Sequence, residues 1–131
     1  MTPEKIAFWT LIVFLQSLPF ARGDGIEPRT LQQVSMISLI ANPQPYQGKY
    51  IQTHGYCKYE DGYAILYLSE ETAKHSVFED AIWLYLGKKI KNPETFADKW
   101  ITIQGSFNPS DRGRWQAFSS SLEQVDTIQL K

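Results

Sequence analysis

The stretch KYIQTHGYC at Lys49–Cys57 recurs in pattern, about fifty residues later, as KWITIQGSF at Lys99–Phe107. Both follow the order lysine, aromatic, isoleucine, polar, Thr or Ile, polar, glycine. Alternation with period two predicts a strand with one buried face, and the internal glycine predicts a bend or bulge. Strands must bend in this way when a small sheet closes on itself. The pair therefore predicts a small β-barrel, and since the segments after the two glycines differ, it does not indicate a duplicated unit.

The first residues of the chain are typical of a secretory signal peptide. Lys5 precedes an uncharged apolar run from Ile6 to Phe20, and Ala21 and Gly23 place small residues where a signal peptidase reads them. The run is short for a membrane span. We expect a signal peptide at residues 1–23, one domain at residues 24–131, no stable membrane span after cleavage, and a periplasmic or secreted protein. The alternatives are an uncleaved N-terminal anchor and a buried helix of a cytosolic domain.

Charge disfavours nucleic acid as the partner. Without residues 1–23, which hold Lys5, Arg22 and Glu4, eleven basic residues face thirteen acidic ones, for a net charge of −2. Proteins that bind phosphate backbones usually carry a basic excess. The basic cluster at Lys88–Lys91 is more typical of a solvated loop.

The single cysteine, Cys57, excludes an internal disulfide. It lies on the same predicted strand face as Ile51, at the position that Phe107 fills in the second stretch. We therefore expect a buried, unreactive thiol and a fold that is stabilised by packing alone.

The remaining pattern predicts strands separated by short helices. Asp61-Gly62 signals a tight hairpin turn, Ser69 is typical of a helix N-cap before Glu70, and Asn92-Pro93 predicts a second short helix. An apolar stretch from Val34 to Ile40 is expected to form one or two helical turns, ended by two prolines. The further strands are predicted at Tyr63–Leu68, Ala81–Leu86, Trp100–Phe107, and in one or two pieces over Arg114–Leu130.

The segment ISLIANPQPYQGKYIQTHGY at Ile37–Tyr56 resembles the opening of small exported bacterial OB-fold-like domain proteins of uncharacterised function. In these a short helix ends in Asn-Pro and a Tyr-x-Gly-Lys turn leads into a bent strand; Ala81–Leu84 and Ile101–Phe107 are similar to their later core strands. The resemblance implies a five- to six-stranded OB-like Greek-key barrel, all-β with short helices. It implies no catalytic residues. Thr53 departs from the pattern, because it places a hydroxyl on the core side, where it needs a partner.

The aromatic residues of the middle strands lie on the face opposite the aliphatic residues. OB-folds commonly bind ligands on the outer face of their second and third strands, where rings stack on bases or sugars. We therefore expect a non-catalytic binding module of the cell envelope, monomeric and without cofactor or metal, whose partner is a protein or an oligosaccharide or peptide ligand. Aromatic residues also simply form good strands. The candidate contact residues are Tyr63, Tyr67, Trp83, Tyr85 and Trp100.

An enzyme is the remote alternative. His54 and His75 are too few and too scattered for a metal site of a hydrolase, and Ser119–Ser121 lacks the glycine elbow that a nucleophilic serine needs. A further alternative is an inhibitor or accessory subunit that pairs through a sheet edge, for which Arg114–Leu130 is the candidate strand.

Overall fold

A computed structural model describes residues 30–131, which form a closed five-stranded β-barrel with a short sixth strand and few short helices. None of the helices within this range is long and apolar enough to cross a membrane. In chain order the elements are β1 Gln32–Gln33, α1 Met36–Ala41, β2 Tyr50–Glu60, β3 Tyr63–Tyr67, α2 Glu70–Lys74, β4 Ala81–Leu86, β5 Lys99–Asn108 and β6 Ser120–Leu130, with single 3-10 turns at Gln44–Tyr46, Phe78–Asp80, Pro93–Phe96 and Arg114–Gln116.

The barrel closes because β2 pairs with two different strands. Its first part lies antiparallel to β5 and its last part antiparallel to β3, while β4 joins β3 to β6, and β6 returns to β5. The β4–β6 pairing is parallel and the other barrel pairings are antiparallel. β1 adds a two-residue parallel pairing beside the start of β2.

The two glycines of the repeated pattern lie where neighbouring strands come closest. A Cβ at Gly55 would lie 2.6 Å from the carbonyl oxygen of Tyr67, and one at Gly105 would lie 2.8 Å from that of Glu123. The β5–β6 register also shifts between Gln104 and Ser106. The predicted irregularity is thus confirmed at Gly105, whereas β2 pairs with β5 in unbroken register through Gly55. A side chain at either glycine would push a neighbouring strand away.

The barrel interior is filled by aliphatic side chains and one phenylalanine. β2 and β5 contribute the inward positions of the repeated pattern, and β3, β4 and β6 complete the core with α1 across one end. The fully enclosed side chains include Leu39, Ile51, Leu66, Ile82, Ile101, Ile103, Phe107, Leu122 and Val125. Cys57 is buried among them, and burial raises the pKa of its thiol to about 12.

Thr53 is buried as its strand phase predicts, but its hydroxyl lacks the partner it was expected to need. The side chain is 1% exposed, and its Oγ1 makes no hydrogen bond with any residue of the described range. A buried unpaired hydroxyl destabilises the folded state, so this position departs from a mainly apolar interior.

Most local predictions are confirmed. Asp61 and Gly62 both have positive φ in the β2–β3 hairpin, β4 has the predicted bounds, and Ser69 and Thr72 form a capping box at the start of α2.

Three predictions need correction, and two others fall outside the described residues. The helix expected after Asn92 is only a 3-10 turn, and the segment from Arg114 becomes a strand only at Ser120, because residues 114–116 form another turn. β6 lies between β4 and β5 over its first half, so the expected free edge is limited to Thr127–Leu130, which pairs with β5 alone. The signal peptide at residues 1–23 and the domain start at residue 24 lie outside the described residues.

Candidate ligand-binding cleft on the outer face

A second apolar cluster lies outside the barrel, on the face of β3 and β4. Strand alternation turns Tyr67 and Trp83 outward, and α2 with the turn around Phe78 folds over them from one side. The segment before β6 covers them from the other side through Phe118. The outer face therefore carries a small core of its own, which is only partly enclosed.

Aromatic side chains of this cluster continue outward as one stacked row. Ring centroids lie 4.9 Å apart between Phe78 and Phe118, 5.0 Å between Phe118 and Trp83, and 5.3 Å between Trp83 and Tyr63. Such distances are typical of favourable aromatic pairs. The guanidinium of Arg114 then lies 4.5 Å from the centre of the Tyr63 ring and 4.4 Å from that of Trp115. We call this series from Phe78 to Trp115 the stacked row.

Exposure rises along the stacked row from its buried middle to its outer end. Phe118 is 1% exposed and Trp83 is 8% exposed, whereas Tyr63 is 39% exposed and Trp115 is 71% exposed. The inner rings are thus occupied with packing, and the outer ones keep surface that a ligand can contact.

The loop Pro109–Phe118, here called the covering loop, is fixed to the barrel by polar contacts. The Tyr85 hydroxyl donates to Asp111 at 2.9 Å, and the other carboxylate oxygen of Asp111 accepts from the backbone N–H of Gly113. Arg112 donates through Nε to the carbonyl of Phe118 at 2.8 Å. Gly113 lies so close to Trp83 that an added Cβ would fall 2.7 Å from it. These contacts hold the loop against the β4 side of the cleft.

The exposed tip of the covering loop has a strained backbone. Trp115 and Gln116 both have positive φ, at 59° and 54°, a region that non-glycine residues seldom occupy. Such conformations cost on the order of 1–3 kcal/mol each and concentrate at functional sites. One of these two residues, Trp115, has the largest of the natural side chains, and that side chain faces solvent.

The α2 side and the covering loop enclose a cleft of about 530 Å³ over β3 and β4. Its floor and walls are mainly aromatic, and its rim carries charges of both signs. The charged lining residues are Lys58, Glu60, Asp61, Lys74 and Arg114.

The cations of the cleft differ in whether they have a partner within the protein. Lys58 Nζ bonds Asp98 at 2.8 Å, and this hydrogen bond raises the pKa of the lysine. In the range 30–131, neither Arg114 nor Lys74 has a carboxylate within ion-pair distance. Burial also raises the pKa of Tyr67 on the floor, so its hydroxyl stays protonated at neutral pH.

A second, shallower cleft of about 740 Å³ lies beside the first, and Lys58, Ala73 and Lys74 line both. It holds Trp100 of β5, whose ring makes an edge contact of 5.8 Å with Tyr56. Its charged lining also includes Glu70, Glu71 and Asp98.

The structure brings together three of the five predicted contact residues. Tyr63, Tyr67 and Trp83 line the main cleft, Trp100 lies in the neighbouring one, and Tyr85 lines neither, although its ring lies 6.5 Å from Trp83. Tyr67, at 3% exposure, and Trp83 face outward from the barrel but are buried, because α2 and the covering loop pack on them.

Sequence reasoning missed Arg114 and Trp115, since the strand prediction extended over them. The strand prediction began directly after Gly113, whereas in the structure the turn that contains Gly113 continues through residues 114–116.

Two of the groups considered for catalysis make hydrogen bonds within the domain. Ser119 donates its hydroxyl to the carbonyl of Ala81, and His75 contacts Glu71 on the exposed face of α2. Across residues 30–131, no group of three His, Cys, Asp or Glu side chains is arranged to hold a metal ion.

Comparisons with known proteins give distant structural similarity only. No protein-family model matches the chain, and no curated protein sequence matches it significantly. A DUF3299 family protein from Pseudomonas aeruginosa PAO1 is similar with a TM-score of 0.46 and 10% identity, over 66% of this chain and 64% of that one. A protein described as a "putative aspartyl-tRNA synthetase from Leishmania major Friedlin" gives a TM-score of 0.44 and 10% identity, over 95% of this chain and 26% of that one. The matches thus span less than two thirds of the length of either protein.

Proposed function

We propose that this protein is a non-catalytic binding module whose ligand site is the main cleft on the outer face of β3 and β4. One observation carries the proposal: Trp115 stands 71% exposed at the mouth of an aromatic cleft, on a backbone with positive φ. Burial of an apolar ring cannot explain this arrangement, because the ring is in water. Contact with a ligand explains both the exposed ring and the strained loop.

The chemistry of the cleft suits a ligand with flat apolar faces and polar edges. The outer rings of the stacked row offer surfaces on which such a face can stack, a contact worth about 1–3 kcal/mol per ring where bases stack. Carboxylates and cations at the rim can accept from and donate to hydroxyl groups. An oligosaccharide has both properties, and we propose it as the ligand class.

The strand order supports assignment to the OB-like Greek-key barrels. Beginning at β2, the order around the barrel is β2, β3, β4, β6, β5, with parallel pairing of β4 and β6. The proposed cleft lies on β3 and β4, which are the second and third barrel strands, and OB-folds often bind oligosaccharides on this face. Fold alone does not define function. The proposal therefore rests on the residues of the cleft, and the fold is only consistent with it.

The proposal also places the protein outside the cytoplasm, as a periplasmic or secreted monomer. Its support is the charged and apolar pattern of residues 1–23. Mass spectrometry of the N-terminus in fractionated cells tests this part. A mature chain that begins at Asp24 is the expected result, and an intact Met1 would contradict it.

A direct test measures oligosaccharide binding by the protein and by single variants. Trp115→Ala and Tyr63→Ala are expected to weaken binding at least tenfold in calorimetric titration against a panel of oligosaccharides. Ile37→Ala is the matched control, because Ile37 is a large apolar residue that is 65% exposed on α1 and does not line either cleft.

Unchanged affinity in both ring variants would contradict the proposal. Trp83→Ala and Tyr67→Ala are less suitable, because both rings are buried and their loss would destabilise the fold.

A protein partner bound through a sheet edge is the second candidate. Thr127–Leu130 pairs with β5 alone, and Leu130 is exposed. A photo-reactive amino acid at Leu130 is expected to crosslink a specific protein if this edge adds a partner strand. The same probe at Ile37 is the control, and equal crosslinking from both positions would contradict this candidate.

A further inference from the structure

We infer that the ligand carries a carboxylate and that Arg114 binds it, which makes the ligand an acidic oligosaccharide built from uronic acid units. The inference rests on the proposed binding function and goes beyond it, because it names the group that the cleft recognises. It also assigns Arg114 as the residue that determines specificity.

The position of Arg114 is fixed by the rings on which it lies. Tyr63 and Trp115 are each within 4.5 Å of its guanidinium carbon, measured to the ring centres. A guanidinium carries its N–H donors in its own plane. Contact with a ring face therefore restrains the group and leaves the donors at its edge unblocked.

The donors of Arg114 are not used by any of residues 30–131. Across the described part of the chain, no carboxylate lies within ion-pair distance of Arg114, and no hydrogen bond from its side chain is formed. Arg112, two residues earlier, differs because its Nε donates to the carbonyl of Phe118. Arg112 therefore stabilises the covering loop. The guanidinium N–H donors of Arg114, by contrast, are available to a bound ligand.

A carboxylate matches this fork best. Two parallel N–H···O bonds join a guanidinium to a carboxylate, and they are stronger and more directional than bonds between neutral groups. Lys74, exposed on the α2 side of the same cleft, adds a second cation without an ion-pair partner among residues 30–131. A sugar ring stacked at the mouth of the cleft would lie next to both.

The surrounding acids limit how much negative charge the ligand can carry. Glu60 and Asp61 line the main cleft, and Glu70, Glu71 and Asp98 line the neighbouring one. A closely spaced row of phosphates would meet these carboxylates and be repelled. A chain with one carboxylate per sugar unit can place that group at Arg114 and its hydroxyls elsewhere.

The experiment compares acidic oligosaccharides with their neutral counterparts. Tetramers of galacturonic, glucuronic and mannuronic acid, each also prepared with its carboxyl groups reduced to alcohols, are titrated into the full mature chain. At least one acidic tetramer is expected to bind ten times more tightly than its reduced form. Arg114→Gln is expected to abolish this preference, and Arg114→Lys to retain only part of it, because lysine keeps the charge but loses the fork.

The control is Lys89→Gln, which makes the same charge change at an exposed lysine outside both clefts. It is expected to leave the preference intact, and circular dichroism checks that every variant is folded. If acidic and reduced tetramers bind equally well and Trp115→Ala weakens both, this inference is overturned but the proposed function is not. Binding of an acidic peptide through Arg114, with no sugar bound, would overturn the sugar class. Absence of any oligosaccharide binding would overturn both.

Discussion

The inside of the barrel and the outer face of β3 and β4 are produced by the same alternating strands, yet they are covered to different extents. The interior is closed by the sheet itself, and residues such as Ile103 and Leu122 are fully buried. Within residues 30–131, the outer face is covered only by α2, one 3-10 turn and the covering loop, so burial falls gradually along the stacked row. The difference shows that closure of the sheet completes the first core, whereas the second depends on short local segments that leave a cleft between them.

The barrel interior and the outer face also differ in residue composition. The interior holds mainly branched aliphatic residues, which fill a confined space at high density. The outer cluster holds large rings and an arginine, which can bury one side and expose the other. Stability should therefore depend chiefly on the interior, and ligand binding on the outer end of the stacked row.

The largest expected effect is the loss of a large interior side chain. Phe107→Ala removes a ring that is 1% exposed and leaves a cavity, so the free energy of unfolding should fall by about 3–5 kcal/mol. Urea denaturation measures this change. A loss below about 1 kcal/mol would show that the interior is less tightly packed than its burial indicates.

The second-largest expected effect distinguishes the outer face from the barrel interior. Trp115→Ala is expected to weaken oligosaccharide binding at least tenfold, about 1.4 kcal/mol or more, which lies within the range of about 1–3 kcal/mol for one stacked ring. The same change should alter the free energy of unfolding by no more than about 0.5 kcal/mol, as for other exposed positions. Titration and urea denaturation of the same variant test both statements, and a large loss of stability would show that the outer end of the row is structural.

A third substitution should stabilise the barrel interior. Thr53→Val replaces the buried, unpaired hydroxyl with a methyl group of similar size, and the free energy of unfolding is expected to rise by about 1 kcal/mol. Thr53→Ser is the matched control, because it keeps the hydroxyl, removes the methyl and should lower stability. Thermal unfolding of the three proteins checks the order, and a less stable valine variant would indicate that the hydroxyl has a bonded water.

The smallest effect concerns a polar contact on the barrel surface, remote from both apolar regions. The Tyr50 hydroxyl donates to Asp126 at 2.9 Å, and this hydrogen bond holds the pKa of the carboxyl below its usual value. A lowered pKa stabilises the fold above the pKa of an unfolded aspartate, and this contribution is lost as pH falls through the lowered value.

Asp126→Asn should therefore cost about 0.5 kcal/mol or less at pH 7, since the group is partly solvated. The difference from the unaltered protein should shrink as pH falls below 4, where the unfolded aspartate is largely protonated. Urea denaturation over this pH range measures the trend. A difference that stays constant with pH would contradict the assignment to Asp126.

The sequence by itself determined the features that depend on neighbouring residues. Alternation set which residues of β2 and β5 face inward, Gly55 and Gly105 marked close approaches to neighbouring strands, and Asp61-Gly62 set the hairpin. The cap at Ser69 likewise started α2 where predicted. These features follow from backbone sterics and local hydrogen bonds, which a short stretch of chain contains in full.

Only the tertiary structure decided which outward rings are exposed. Alternation places Tyr67 and Trp83 outside the barrel, but it cannot indicate that α2 and the covering loop, which are separated in sequence by some forty residues, meet over them. The same contacts bring Arg114 and Trp115 to the mouth of the cleft, where the strand prediction had not placed them. Exposure depends on which distant segments pack together, since burial is a property of the assembled surface and no local pattern contains it.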